Sequence, residues 1–185
     1  MKYKKYVRDS LISELGFGGW PLGNTSRGER MSDEAGIDLV LNAINLGINF
    51  FDTAPNYASG QSEIIIGKAI KDIRNQVVIN TKFGHHVNDI QDFEIQLIKP
   101  SLMGSLQRLQ THYVDSLILH NPPKEILMGQ KNHFNVLKEL KSEGIILGYG
   151  VSIDTKEELD LLTWLETSII DSIIPSIVSR SIVIF

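Results

Sequence analysis

The stretch Leu117-Ile118-Leu119, with His120 directly after it, is a short continuous run of apolar residues without polar alternation. Runs of this kind are typical of parallel strands that are buried on both faces of a sheet. The pattern recurs along the chain, and the further runs lie at 48–51, 77–79, 145–147 and from 169 to 174. Together with a strand near Glu14–Gly18, these runs predict six strands.

Helix patterns alternate with these strands. Apolar residues recur at helical spacing over 37–44, with Ser32 or Asp33 as the start and Gly47 as the stop. Further helices are predicted by Leu102, Leu106 and Leu109, by Val136, Leu137 and Leu140 before Gly144, and by Leu159, Leu162 and Leu165 after a capping box at 155–158. Strand followed by helix, repeated along the chain, predicts right-handed parallel crossovers in a barrel or a doubly wound sheet.

The glycine-rich stretch 15–21 bears on the choice between these two folds. No helix pattern follows it directly, so the dinucleotide fingerprint of a doubly wound sheet is missing. A complete (β/α)8 barrel typically needs about 250 residues, and this chain has 185. We therefore predict an α/β protein: a single domain over residues 1–185, built as an incomplete TIM-type (β/α)8 barrel of about six strand–helix units. A doubly wound open sheet is the alternative, and the strand order decides between them.

The composition excludes several classes of function. The chain has 18 Lys and Arg against 22 Asp and Glu, a formal net charge of −4, and no cysteine. Disulfides, thiolate metal sites, iron–sulfur clusters and cysteine nucleophiles are thereby excluded. The basic residues are scattered, so we expect no nucleic-acid partner. No apolar run approaches the ~18 residues of a membrane span, and no signal-peptide core follows the basic N-terminus, so we expect a soluble, cytoplasmic protein without membrane contact.

Polar side chains stand where three of the predicted strands end. Asp52 follows one strand, Tyr57 lies five residues later in the same loop, and Lys82 and His120 end two further strands. Alone, an aspartate such as Asp52 is more often a helix cap or turn former than a functional residue. The alternative for His120 is a turn residue, for Tyr57 a packed ring and for Lys82 a solvated charge. The functional sites of parallel α/β folds form beyond the carboxyl ends of the strands. We therefore expect these four complementary groups to converge.

The four groups together suit the reduction of a carbonyl. A free phenol has a pKa near 10, and a neighbouring ammonium lowers it. Asp52 would hold the Lys82 ammonium, Tyr57 would supply a proton to the developing oxyanion, and a neutral His120 would orient the carbonyl oxygen. The chain has no hydride donor of its own, so a nicotinamide cofactor is implied.

Four ordered motifs carry a resemblance to a known family. They are Phe-Asp-Thr-Ala-Pro-Asn-Tyr at 51–57, Thr-Lys-Phe-Gly at 81–84, Leu-His-Asn-Pro-Pro at 119–123 and Gly-Tyr-Gly-Val-Ser at 148–152. In this order they resemble the motifs of the aldo-keto reductases, and the similarity extends to about Arg180. The resemblance implies that Tyr57 is the proton donor, that Asp52 and Lys82 tune it, and that His120 orients the carbonyl.

The resemblance also implies a cofactor and its contacts. It implies reduction of an aldehyde or ketone with hydride from NADPH, with NADH as the alternative. Trp20 corresponds to an aromatic residue near the nicotinamide, and the backbone of Gly18 and Gly19 lies beside the cofactor. Ser152 corresponds to the hydroxyl that binds the carboxamide, and Asp52 belongs to the same cofactor surface.

The chain departs from the family pattern at several positions. Ile153 stands where family members have Asn, and Ile174 and Val178 stand where they have Gln and Asn toward the carboxamide. The chain ends at Phe185, before the strands that carry the family's cofactor-phosphate site. We therefore expect a C-terminally truncated member, and the alternative function is an inactive remnant with a role in binding or assembly.

The expected truncation has a structural consequence. A barrel cut after six strands has two open edges with unpaired backbone groups. We expect the chain to cover them by self-association or by adding its apolar tail, residues 177–185, as a strand, or else to be marginally stable as a monomer.

A histidine pair, His85 and His86, lies near Asp89. No third ligand stands at a suitable spacing, and a zinc site requires more ligands. We expect no metal site.

Overall fold

The computed structural model describes residues 1–23, 31–162, 172–175 and 181–184. Its strands are β1 (Tyr3–Lys5), β2 (Leu11–Ser13), β3 (Phe17–Gly18), β4 (Phe50–Asp52), β5 (Val78–Phe83), β6 (Val114–His120), β7 (Ile146–Ile153), β8 (Ser172–Pro175) and β9 (Ser181–Ile184). Its α-helices are α1 (Asp33–Asn45), α2 (Gln61–Ile70), α3 (Ile98–Leu109), α4 (Lys124–Leu127), α5 (His133–Ser142) and α6 (Lys156–Asp160). Within those ranges, no helix combines the length and the apolar character that crossing a lipid bilayer requires.

Strands β3 to β7 form the parallel part of one sheet, in which each strand pairs with the next one in the chain. A doubly wound sheet reverses its strand order at a switch point, so this order excludes that alternative. Parallel strands added in chain order, with helices between them, are the arrangement of a (β/α)8 barrel. The prediction of an incomplete barrel of this type is confirmed.

Successive residues of the parallel strands face opposite sides of the sheet. Phe51 belongs to the apolar core that the helices cover, whereas Phe50 belongs to a second core inside the barrel. Strands β1 and β2 form an antiparallel hairpin, and this hairpin region fills the inner core with Tyr6, Val7 and Ile12. The sequence pattern predicts no strand before residue 14, because β1 is exposed along its whole length and shows no apolar alternation.

The predicted sixth strand does not continue the parallel series. Strand β9 pairs antiparallel with β7 and with β8, and so it separates them. The prediction that the sixth strand joins by a parallel crossover is therefore wrong, because the backbone groups along the edge of β7 are paired by β9 instead. An added strand from residues 177–185 is one of the predicted alternatives, and β9 is such a strand. Self-association through the edges of the sheet stays a prediction.

Helices α1, α3, α5 and α6 form where the apolar spacing predicts them. The Ser32 hydroxyl accepts a hydrogen bond from the Ala35 N–H at the start of α1, and Thr155 and Glu158 form the predicted capping box. Helix α2 has no predicted bounds, because three consecutive isoleucines at 64–66 obscure its periodicity. Leu165, residues 169–171 and Val178 lie outside the described residues.

Helices α2 and α3 approach each other closely at Gly67. A Cβ atom there would lie 2.6 Å from the backbone oxygen of Arg108 and 2.8 Å from Cα of Leu109. Backbone atoms cannot move aside as a flexible side chain can, so the contact depends on the missing side chain. The approach brings Glu63 of α2 and Arg108 of α3 together behind strand β5.

The close approach predicts an unusual effect of alanine. Gly67→Ala should lower the free energy of unfolding by about 1–3 kcal/mol through overpacking, although alanine in a helix normally stabilises by about 1 kcal/mol over glycine. Gly104→Ala in α3 is the matched control, because its Cβ would meet only the end of the Arg108 side chain, at 3.2 Å. Urea unfolding measures the free energy of unfolding of both variants. A stability gain in Gly67→Ala would contradict the described contact.

Candidate active site

The carboxyl ends of β4, β5 and β6 bring the predicted site residues to one edge of the barrel. Asp52 ends β4, Lys82 lies near the end of β5, and His120 ends β6. The parallel register places Asp52 beside Asn80 and His120 beside Ser152. Because these strands run parallel, their carboxyl ends lie at the same end of the barrel, where Asp52, Lys82 and His120 approach one another.

The ammonium group of Lys82 lies at the centre of the site. Its Nζ donates to Asp52 Oδ2 at 2.7 Å, to the Thr53 carbonyl at 2.8 Å and to the Tyr57 hydroxyl at 3.1 Å. Burial alone would lower the pKa of Lys82, but the charges of Asp52 and Tyr57 and the hydrogen bonds to both raise it above its ordinary value. Lys82 is therefore a buried cation at neutral pH.

Tyr57 reaches Lys82 from a tight turn after β4. The turn, Tyr57–Gly60, holds Ala58 and Ser59 in the left-handed region, at φ 50° and 53°. This conformation is uncommon for residues other than glycine and carries backbone strain. The Tyr57 ring stands edge-on to the His120 ring, with centroids 6.1 Å apart. The turn therefore presents the phenol between the Lys82 ammonium and the His120 imidazole.

A second imidazole lies against His120. The ring centroids of His85 and His120 are 4.4 Å apart and the planes are tilted by 37°. A short hairpin loop places His85 there, with Asp92 N–H donating to the Gly84 carbonyl and His86 N–H to the Ile90 carbonyl. Sequence reasoning treats His85 only as a metal candidate, although its position three residues after Lys82 is a signal that it lies near the site.

A buried ion pair stands behind Lys82. Glu63 has no exposed surface, accepts from the Thr81 hydroxyl at 2.5 Å, and accepts from Arg108 Nε at 2.6 Å. Thr81 directly precedes Lys82 in β5, so the pair fixes α2 and α3 to the strand that carries the ammonium. Sequence reasoning misses this pair because Glu63 and Arg108 lie on two helices that are 45 residues apart in the chain.

The hydroxyl of Ser152 is engaged by a neighbouring amide. Ser152 Oγ donates to Asn121 Oδ1 at 2.6 Å and accepts from the Asn121 backbone N–H at 2.9 Å. Asn121 Nδ2 in turn donates to Asp154 Oδ2 at 3.2 Å, and Asn121 has a left-handed φ of 51°. Ile153, the departure from the family pattern, is buried in the core under the helices. Ile174 stands in β8, and its side chain lies outside the described part of the structure.

A family model for the aldo/keto reductase family matches residues 14–175. The chain belongs to this family. It is 37 % identical over 153 residues to aldo-keto reductase YhdN of Bacillus subtilis, covering 80 % of the chain and 45 % of that relative. It is 34 % identical over 183 residues to the NADH-specific methylglyoxal reductase of Escherichia coli, and the match covers 89 % of this chain and 56 % of that relative. The chain thus spans about half the length of the curated relatives that it matches.

Solved structures of aldo-keto reductases resemble this chain in fold. The holo form of a Bacillus halodurans aldo-keto reductase matches at 32 % identity and a TM-score of 0.71, over 82 % of this chain and 50 % of that one. An aldo/keto reductase of Klebsiella pneumoniae in complex with NADP and acetate matches at 26 % identity and a TM-score of 0.69, over 89 % of this chain and 53 % of that one.

In this aldo/keto reductase chain, the residues assigned to the cofactor by resemblance lie at the rim of the site. The Gly19 N–H donates to the Asp52 carbonyl at 2.7 Å, which joins the end of β3 to the end of β4. A Cβ on Gly18 would meet no atom within 4 Å, and Trp20 is half exposed. The backbone is therefore open to a ligand here, and the cofactor-binding roles stay predictions.

The histidine pair is engaged within the loop that follows β5. His86 Nε2 lies 3.0 Å from the Asp92 carbonyl, and Asp89 accepts from Asn56 Nδ2 at 3.1 Å. Within the part of the chain that the structure describes, no three His, Cys, Asp or Glu side chains are grouped as a metal site requires. The Asn56–Asp89 contact ties this loop to the segment that carries Tyr57.

The pH dependence of folding should report the charge on Lys82. Its pKa in the folded chain is above the ordinary value of 10.5. The contribution of the Lys82 charge to the free energy of unfolding is therefore complete below pH 10.5, and it is lost as the pH rises through the pKa of Lys82 in the folded chain. The free energy of unfolding of the wild type minus that of Lys82→Met should stay constant around neutral pH and fall above pH 10.5.

Urea unfolding at a series of pH values measures this difference. Other lysines and tyrosines titrate in the same range, and subtracting the variant removes their contributions. A difference that stays flat up to the highest pH at which both proteins fold would contradict the assignment of Lys82 as a stabilised buried cation.

Proposed function

We propose that this chain carries the catalytic site of a carbonyl reductase that converts an aldehyde or ketone to an alcohol with NADPH. The observation that carries the proposal is the Tyr57 hydroxyl 3.1 Å from the Lys82 ammonium, which Asp52 holds at 2.7 Å. NADPH is favoured because related structures from Klebsiella pneumoniae contain NADP or NADPH. NADH is the alternative, since the Escherichia coli relative is NADH-specific.

The nicotinamide, when bound, would supply hydride to the carbonyl carbon. Negative charge then builds on the carbonyl oxygen, and the Tyr57 hydroxyl donates its proton there. The Lys82 ammonium already donates to the Tyr57 oxygen, so it stabilises the phenolate that remains after this transfer. Asp52 keeps the ammonium in place, and the Thr53 carbonyl directs it.

His120 supports the second part of the proposal, the orientation of the substrate. Its ring stands beside the Tyr57 ring and is almost fully buried at the end of β6. A neutral imidazole there can donate to the carbonyl oxygen and hold it near the phenol. The proposed substrate is a small-molecule aldehyde or ketone, and its carbonyl oxygen is the atom on which the proton donor and the orienting group both act.

The residues of this chain fit the nicotinamide end of the cofactor. Ser152 already binds a primary carboxamide, that of Asn121, and nicotinamide carries the same group. Ser152 and the amide of Asn121 would therefore hold the carboxamide, and the open backbone at Gly18 would allow the ring to approach. Trp20, exposed on the same rim, would cover it.

A cofactor titration tests the proposal at the level of binding. Nicotinamide fluorescence of NADPH and of NADH is followed as the purified chain is added. We expect a saturable change with NADPH and a similar one with NADH, because the two cofactors share the nicotinamide end that the residues of this chain fit. If neither cofactor gives a saturable change, the reductase proposal is overturned for this chain.

Removal of one hydroxyl tests the proton donor. Tyr57→Phe should lower kcat for carbonyl reduction by about 10²–10⁴-fold, because the lost group acts in proton transfer. Cofactor affinity should change little. Tyr113→Phe, next to the opposite end of β6, is the matched control and should leave kcat unchanged. An unchanged kcat in Tyr57→Phe would remove Tyr57 from the mechanism.

A further inference from the structure

A row of buried polar groups runs through the inside of the barrel beneath the site. The Tyr6 hydroxyl lies 2.7 Å from Ser116 Oγ and donates to Asn80 Oδ1 at 3.2 Å. Asn80 Nδ2 lies 3.5 Å from Asp52 Oδ1. Asn80 and Ser116 have no exposed surface, and Tyr6 is buried. Polar groups this deep in a core are retained where their hydrogen bonds are satisfied.

The directions of these hydrogen bonds follow from the groups themselves. Burial raises the pKa of the Tyr6 phenol, so it keeps its single proton. That proton goes to the Asn80 side-chain oxygen, and the Ser116 hydroxyl then donates to the Tyr6 oxygen. With its oxygen bound to Tyr6, the Asn80 amide turns its NH₂ group toward Asp52.

The two oxygens of Asp52 consequently have different partners. Oδ1 faces the Asn80 amide from inside the barrel, and Oδ2 accepts from the Lys82 ammonium. The Asn80 contact is long for a hydrogen bond, so its main effect is to orient the carboxylate by an ion–dipole attraction. The Asp52 side chain is 25 % exposed. It therefore has room to turn toward solvent if the amide is lost.

Tyr6 reaches the inside of the barrel from the end opposite the site. It lies between β1 and β2, where its N–H donates to the Ser10 carbonyl at 2.8 Å. Its ring packs edge-on against Phe50 of β4, with centroids 5.5 Å apart. Tyr6 is thus fixed to the hairpin by its backbone and to the barrel by its ring, which makes its hydroxyl a rigid support.

We propose that Asn80 is a positioning residue of the carbonyl-reducing site, and that Tyr6 of the N-terminal hairpin region orients Asn80 so that Asp52 stays on Lys82. The inference rests on the proposed function, because it assigns Asn80 and Tyr6 to the same reaction. It gives the hairpin a part in the chemistry besides its part in the inner core.

The titration of Lys82 tests this inference without turnover. The titratable groups that act on Lys82 are Asp52 of β4 and Tyr57 of the following turn, with His120 of β6 beyond the Tyr57 ring. In protein labelled with ¹³C-lysine, the Lys82 side-chain resonance is assigned by its loss in Lys82→Met and followed against pH. Tyr6→Phe and Asn80→Leu should both shift the Lys82 titration to lower pH, because Asp52 leaves the ammonium.

Two comparisons separate positioning from a general loss of structure. Tyr3→Phe removes the other hairpin tyrosine hydroxyl, which donates to the Gly47 carbonyl outside the barrel, and should leave the Lys82 titration unchanged. The double variant Tyr6→Phe/Asn80→Leu should match Asn80→Leu alone, because Tyr6 acts through Asn80. If Asn80→Leu fails to fold, Tyr6→Phe, which removes a single oxygen atom, decides the matter.

Kinetics provides a second readout. Tyr6→Phe should lower kcat by about 10- to 100-fold through misplacement of the proton donor, at unchanged cofactor affinity. An identical Lys82 titration in wild type, Tyr6→Phe and Asn80→Leu would overturn the inference, as would an equal shift in Tyr3→Phe. A wild-type chain that reduces no carbonyl would count against the proposed function alone, and the titration would still decide this inference.

Discussion

A buried ammonium group needs a hydrogen-bond acceptor for each of its three protons, and Lys82 finds them in Asp52, the Thr53 carbonyl and the Tyr57 hydroxyl. An unpaired buried charge would be strongly destabilising. The end of β4 and the turn after it must therefore place these three acceptors within hydrogen-bond distance of the Lys82 ammonium on β5. This requirement maintains the strained left-handed backbone conformation of Ala58 and Ser59 in that turn.

The rest of the fold supports that one group from several sides. Parallel register brings the ends of three strands to one edge, and the Glu63–Arg108 pair fixes two helices to β5 behind Lys82. Inside the barrel, Tyr6 and Asn80 approach Asp52 from the opposite end. Hydrogen bonds within the chain thus hold the charged groups of the site in position, and charged groups held in fixed positions stabilise a developing charge most effectively.

The parallel strands and the placement of most site residues could be predicted from the apolar runs in the sequence. Asp52, Lys82 and His120 stand at the ends of apolar runs, so their common edge follows from strand direction alone. The contact of Tyr6 with Asn80 could not be predicted, because the sequence pattern shows no strand before residue 14. The position of His85 three residues after Lys82 places it near the site but does not identify His120 as the ring that it contacts. The sequence predicts strand β9 only as one of several alternatives, since several partners can pair with an open edge equally well.

We infer that the Lys82 ammonium, rather than the packing of the strands, holds the Tyr57 hydroxyl and the Asp52 carboxylate in place. A crystal structure of the Lys82→Met variant beside the wild type tests it most directly. We expect the register of β4, β5 and β6 to be unchanged, while the Asp52 carboxylate and the Tyr57 ring leave their positions. An unchanged Tyr57 hydroxyl and Asp52 carboxylate in the variant would contradict the account.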